Sequence, residues 1–145
     1  MAVKPIPEGY HTITPFLTVQ GADKLIDFMK QVFAATEIER IMQADGTVKH
    51  AEVRIGDSVM MISEARGEWK PMPAALYLYI SDVDAVYRRA LEAGATSLME
   101  PMDTFYGNRE SGVKDQFGNY WWIATHFEEV SPEEIQRRAE AASQK

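Results

Sequence analysis

The sequence predicts an α+β protein built from two tandem βαβββ modules, and three observations carry that expectation. An apolar strand, Phe16-Leu17-Thr18-Val19, runs into a helix with Leu25, Phe28, Met29, Val32 and Phe33 on one face. A second strand, Leu76-Tyr77-Leu78-Tyr79-Ile80, runs into a helix with Val83, Val86, Tyr87, Ala90 and Leu91 at similar spacings. Each helix is followed by shorter strand-and-turn patterns, so the same unit is written twice. At 145 residues and 46% hydrophobic content, the chain can bury one core and is too short for two ordinary domains. A single domain over 1–145 is therefore expected, with both copies sharing one fold.

The elements follow in order. Pro5 and Pro7 mark an extended arm that leads into a strand from about Thr12 to Val19, which Gly21 ends. The helix from Ala22 to Ala34 keeps Asp23, Lys24, Asp27, Lys30 and Gln31 on or near its wet side. Three short strands follow, Thr36 to Met42, Thr47 to Ile55 and Ser58 to Ser63, joined by turns at Asp45-Gly46 and Gly56-Asp57. Module 1 spans about 12–63, and the stretch 64–73, with Gly67, Pro71 and Pro73, reads as a linker. Module 2, about 75–126, opens on a strand from Ala75 to Ile80. A helix capped by Asp82 then runs to Ala93, where Gly94 terminates it. Strands near Ser97 to Glu100, Glu110 to Lys114 and Tyr120 to Thr125 complete the module. A C-terminal helix over 131–143 starts with Ser131 at the cap, Pro132 in the first turn and Glu134 placed for a capping box.

Composition excludes several classes of function. A formal charge of -7 argues against nucleic acid, whose phosphates demand clustered Lys and Arg, and tolerates a cationic ligand. With no cysteine, disulfides, thiolate metal sites and a cysteine nucleophile are all removed. No apolar run approaches the roughly 20 residues of a membrane span. The N-terminal Met1-Ala2-Val3-Lys4-Pro5 lacks the apolar core of a secretion signal, so no membrane partner and a cytoplasmic location are expected. No Ser-His-Asp spacing, phosphate loop or nucleotide fingerprint is present.

Asp115-Gln116-Phe117-Gly118-Asn119, followed by Tyr120-Trp121-Trp122, closes the second βαβββ module, and with the repeat it resembles the vicinal oxygen chelate superfamily. That superfamily holds glyoxalase I, bleomycin-resistance proteins and extradiol dioxygenases. Three further pieces are similar to its PhnB-like branch. They are Gly9-Tyr10-His11-Thr12-Ile13-Thr14-Pro15-Phe16, His50-Ala51-Glu52-Val53-Arg54-Ile55-Gly56-Asp57-Ser58 and Ile123-Ala124-Thr125-His126. The resemblance implies that each sheet curls into an open half-barrel, with helices on its convex side and a ligand cleft on its concave side. It also implies homodimerisation, which would cover the edge strands of an open sheet.

Metal-dependent relatives carry His, Glu or Gln on the first and last strands of each module, where a divalent ion needs hard or imidazole ligands. The matching positions here are Thr14, Ala75, Trp122 and Met60, or Met61 if the hairpin is one residue longer. None is a metal ligand, so a glyoxalase I activity is not expected, and no metal and no cofactor are assigned. His11, His50 and His126 leave room for an atypical site. His50, however, shares a strand face with the polar Glu52 and Arg54, and His11 and His126 sit near strand ends, where hydrogen-bonded structural histidines are common.

Residues in step with Thr14, Ala75 and Trp122 should point into the cleft. They make an aromatic, methionine-lined set in which Phe16, Met60, Tyr77, Tyr79, Tyr120 and Trp122 are the candidate ligand-binding residues, with Thr18 and Ala124 beside them. Alternating aromatics can also be plain core. Here Leu17, Val19, Leu76, Leu78 and Ile80 already supply a helix-facing core, which leaves the aromatics another face. Such a lining suits a small planar or cationic molecule. Phe105-Tyr106-Gly107-Asn108-Arg109 could form a flap with Arg109 as an anion contact, or a plain hairpin with an exposed Arg. Glu64, Glu100 and Glu110 are possible acid or base residues, although a carboxylate on a strand end is usually a solvated charge. No catalytic residue is assigned. Two readings remain: a metal-independent binding protein, or a lyase, isomerase or dioxygenase with an atypical metal site that includes His50 or His126.

Overall fold

The computed structural model describes residues 2–143; Met1, Gln144 and Lys145 lie outside the described residues. The chain forms two compact units, Met1–Ala74 and Ala75–Lys145. In the first, β1 (Phe16–Val19), α1 (Ala22–Phe33), β2 (Thr36–Met42), β3 (Val48–Ile55) and β4 (Ser58–Glu64) give a four-stranded sheet of order β1-β4-β3-β2. In the second, β5 (Ala75–Tyr79), α2 (Val83–Glu92), β6 (Thr96–Asp103), β7 (Asn108–Lys114) and β8 (Tyr120–His126) repeat that topology as β5-β8-β7-β6. The helix α3 (Pro132–Ser143) follows. In each sheet the first strand pairs in parallel with the last, and the other pairings are antiparallel. Both sheets are open, so the chain is two tandem βαβββ modules as the repeat predicts. Among the described residues, no helix is long and apolar enough to cross a membrane.

Each sheet gives one face to its own helix. In the first unit, Leu17 pairs with Ile62, Ile62 with Ala51, and Val53 with Met60. These residues are buried together with Leu25, Ile26, Met29 and Val32 of α1. In the second, Leu76 pairs with Trp121, Leu78 with Ile123, and Val113 with Trp121, facing Val83, Val86, Tyr87 and Ala90 of α2. Each large side chain buried this way contributes ~1.5–3 kcal/mol of transfer free energy. The α2 stripe is narrower than its periodicity suggests, because Leu91 is left exposed. The Tyr87 hydroxyl instead bonds Ser97 Oγ at 2.7 Å.

Several boundaries differ from expectation for reasons of backbone chemistry. The strand β1 begins at Phe16 rather than Thr12, since Pro15 has no N–H to donate, although its carbonyl still accepts from Met61 N at 2.9 Å. Extended β6 runs through Pro101, which is tolerated at the edge of the sheet where the register shifts between Met99 and Met102. The stretch expected as a linker is hydrogen-bonded to the first sheet, extending the β4 ladder at Ala65 and lying along the outer edge of β1 at Met72. Ala65 N donates to Val19 O at 2.8 Å and Met72 N to Thr18 O at 2.9 Å, while Arg66 and Trp69 exchange bonds of 2.9 and 2.8 Å.

Side-chain oxygens fix the helix starts. Gly21, at φ 93°, offers no side chain to cap α1, so Glu64 at the end of β4 does so. Its carboxylate accepts from Gly21 N at 2.9 Å and from Ala22 N at 3.0 Å. Glu64 is thus a capping residue. Asp82 caps α2 through Ala85 N at 3.2 Å, and Ser131 caps α3 through Glu134 N at 3.2 Å.

The turn between β7 and β8 is organised by Asp115, a carboxylate 4% exposed. Its Oδ1 accepts from Phe117 N at 2.8 Å and Asn119 N at 2.9 Å, and its Oδ2 from Asn119 Nδ2 at 3.0 Å and Trp121 Nε1 at 2.8 Å. One side chain therefore closes the turn and anchors the largest core indole. Removing it strands buried donors, so Asp115→Ala should lose ~3 kcal/mol or more of stability. Asp115→Asn, which keeps an acceptor for the two backbone N–H groups, should lose less. Urea denaturation followed by circular dichroism measures both; equal midpoints for the three proteins would contradict this role.

Candidate functional site

The candidate site is the face of the second sheet turned away from α2. Directly paired strand residues share a face, which places Tyr77 beside Trp122, Tyr79 beside Ala124, and Tyr120 between Ala75 and Lys114. The Tyr77 and Tyr79 rings lie 5.3 Å apart at 57°. Tyr79 is 65% exposed, and Tyr77 and Tyr120 are also exposed. Lys114 Nζ stands 5.7 Å above the Tyr120 ring. Trp122 depends on its neighbour Gly112, where an added Cβ would fall 2.3 Å from the indole. The missing side chain lets the ring lie against the backbone of β7.

A polar cluster adjoins this surface. The buried Glu110 carboxylate, 9% exposed, accepts at Oε1 from the Tyr77 hydroxyl at 2.6 Å and the Tyr106 hydroxyl at 2.8 Å. The Tyr77 oxygen accepts from Asn108 Nδ2 at 2.9 Å, so its proton is left for Glu110. Asn108 Oδ1 then faces His126 Nδ1 at 2.8 Å, and His126 Nε2 lies 3.2 Å from Glu129 Oε1. Burial, then the bond to Glu110, pushes the Tyr106 phenol up to about 12. The same two causes raise Tyr77, whose ring is exposed while its hydroxyl sits against the carboxylate. Tyr106 arrives on the loop before β7, which is held where Phe127 N donates to Gly107 O at 2.9 Å. Gly107, at φ 94°, is required there, because a Cβ would fall 2.2 Å from Glu128 O.

The loop is therefore fixed, and the anion-contact reading of Arg109 is corrected. Its guanidinium lies on the helix side, bonded to Asp84 at 2.8 and 3.0 Å and to Asp103 at 3.1 Å. Glu110, expected as a solvated charge, is the buried centre of the cluster. The sequence carries no signal for it, because Tyr77 lies 33 positions away.

The first unit has a different open face. Phe16 is exposed there and pairs with Met61, which pairs with Glu52. Met60, the residue expected in the cleft, is 5% exposed and lies with Val53 and Ile62 in the helix-side core. Met61 takes the open-face position, since a one-residue difference along a strand exchanges the two faces. Thr14 precedes the strand and, with Pro7, Tyr10, Glu39, Glu52 and Met61, lines a cavity of 480 Å³. Over it the arm is tied down by the Tyr10 hydroxyl, which donates to Glu52 Oε1. His50 Nε2 lies 3.0 Å from Glu52 Oε2, with its ring 5.9 Å from that of Phe16, and His11 Nε2 lies 3.2 Å from Asp57 O. Each histidine thus has a hydrogen-bond partner. Among the described residues, no group of three or more His, Cys, Asp or Glu is placed to hold a metal ion.

Two outcomes are expected from this geometry. Gly112→Ala should displace the Trp122 indole without unfolding the sheet, read as a shift of its Nε1–H resonance while that of Trp121 stays put. The bond from Tyr10, then that from His50, holds the Glu52 carboxylate below its ordinary value of 4.5, against the opposing effect of burial. A depressed carboxyl stabilises the fold above the unfolded value and loses that contribution as pH falls through the folded one. The melting temperature of the native chain should therefore exceed that of Tyr10→Phe at neutral pH, and the gap should close as acidification passes below the ordinary carboxyl value of 4.5. A gap independent of pH would contradict the assignment.

Residues 10–123 match the family model described as Glyoxalase/Bleomycin resistance protein/Dioxygenase superfamily. A protein of Mycobacterium tuberculosis (strain ATCC 25618 / H37Rv), itself described as uncharacterized, is 34% identical over 135 residues, covering 86% of this chain and 79% of its own. Among solved structures, the PhnB protein from Bacillus cereus superposes with a TM-score of 0.65 at 20% identity, covering 79% of this chain and 99% of its own. TnmS3 from Streptomyces sp. CB03234, described as an antibiotic binding protein, gives 0.60 at 20% identity, covering 80% and 97%. The structural likenesses speak for the fold, and the family match spans both βαβββ modules. The chain belongs to the glyoxalase/bleomycin resistance protein/dioxygenase superfamily, the vicinal oxygen chelate proteins.

Proposed function

We propose that this protein binds a small planar molecule on the aromatic open face of its second sheet, without the help of a metal ion. The observation that carries the reading is the exposed surface of Tyr77, Tyr79 and Tyr120 next to Trp122, none of it covered by α2. Exposed aromatic surface of this kind is costly unless it serves recognition, and flat rings give a flat ligand large contact area in a few favoured stacking geometries. The buried hydrogen-bonded cluster at its side supplies the few fixed polar groups that orient a ligand on an apolar floor. TnmS3 is described as binding an antibiotic on this fold, which supports a binding role over a catalytic one. Phe16 and Met61 offer a smaller apolar surface on the open face of the first sheet.

A thermal-shift screen of flat aromatic compounds, followed by titration of the hits, tests the reading. Trp122→Ala should weaken a hit about tenfold, or ~1.4 kcal/mol, while Phe127→Ala, outside the aromatic set, should leave it unchanged. A screen without hits, or hits indifferent to Trp122 and Tyr77, would refute it. Elemental analysis checks the metal-independent part: stoichiometric Zn, Ni, Mn or Fe lost on substituting His50 or His126 would overturn that part.

A further inference from the structure

Glu110 carries more than the reading above asks of it. Both phenols that reach its carboxylate meet the same oxygen, Oε1, and Oε2 takes no hydrogen bond from any described residue. Nor does Glu110 form an ion pair with any described residue. The nearest cations along β7 are otherwise engaged: Lys114 with the Tyr120 ring, and Arg109 on the opposite face with Asp84 and Asp103. The proton chain is fixed in direction, from the Asn108 amide to Tyr77 and from Tyr77 to Glu110, so the carboxylate acts as the acceptor at the end of the chain. A carboxylate 9% exposed, with both phenols on one oxygen, keeps its other oxygen open to a further donor. Burying such a group is costly unless a cation or a further donor completes it.

Resting on the proposal that the aromatic face binds a planar molecule, the geometry points to a ligand that carries a protonated nitrogen, with its N–H donated to Glu110 Oε2 and its ring plane on Tyr77 and Trp122. The same rings favour this charge, since aromatic faces present negative potential to a cation. A neutral molecule of equal shape gains the stacking and leaves the carboxylate half paired. A charge-assisted hydrogen bond in a partly desolvated position is stronger than a neutral one, so the difference should be at least tenfold in affinity.

Two probes of matched shape decide it: 4-aminoquinoline, cationic at neutral pH through its ring nitrogen, and 1-aminonaphthalene, which is neutral. Calorimetric titration of the native protein should show at least tenfold tighter binding of 4-aminoquinoline. Glu110→Gln should remove most of that preference, with an unchanged far-ultraviolet circular dichroism spectrum showing that the variant is folded. If the native protein binds the two probes equally, or Glu110→Gln keeps the preference, the inference is overturned. In that case the aromatic-face proposal stands so long as Trp122→Ala still weakens both. If neither probe binds the native protein, both proposals fall. Should Glu110→Gln not fold, the ratio measured on the native protein alone decides.

Discussion

The molecule depends on a division of labour imposed by strand alternation. Successive side chains of a strand point to opposite faces, so each time a helix packs on a sheet it claims every second residue of the strands beneath it. Leu17 and Val19 beneath α1, and Trp121, Ile123 and Val113 beneath α2, answer that claim with complete burial. Their neighbours in sequence then have no choice of face. Tyr77, Tyr79 and Trp122 stand opposite the helix because Leu76, Leu78, Trp121 and Ile123 stand under it. An open face thus comes with the core at no further conformational cost, and its chemistry can vary while the helix side stays constant.

The two units show that variation. They share strand order and the parallel pairing of first and last strands, yet their last hairpins close differently. In the first, Ile55 pairs with Ser58 across a two-residue turn of Gly56 and Asp57. In the second, Lys114 pairs with Tyr120 across a longer turn wound around the Asp115 carboxylate. The open faces have diverged as well. His50, Glu52 and Met61 occupy one, and a row of aromatic rings beside Glu110 occupies the other.

Much of this was legible from residues alone. Alternation and glycine placement located every strand and helix, and Thr36 to Met42 agrees with β2 at both ends. Asp82 and Ser131 announced their helices because capping is local chemistry. What escaped depends on partners distant in sequence. Glu64 caps a helix that begins 42 residues earlier, and Glu110 is buried by a phenol 33 residues away, so each looks in sequence like an ordinary strand-end charge. Arg109 is drawn to the helix side by Asp84, 25 residues away. Met60 and Met61 show a different limit: period-two reasoning assigns faces correctly once the phase is known, but the phase is set by hairpin register.

The segment after β4 has one more effect. By donating Met72 N to the outward carbonyl of Thr18, it uses up an acceptor that an exposed strand would present to any passing chain. Pro71 and Pro73, which flank Met72, have no N–H to offer in turn. The stretch that composition marks as a spacer is a built-in guard against strand-by-strand self-association, which is the route from open sheets to aggregates.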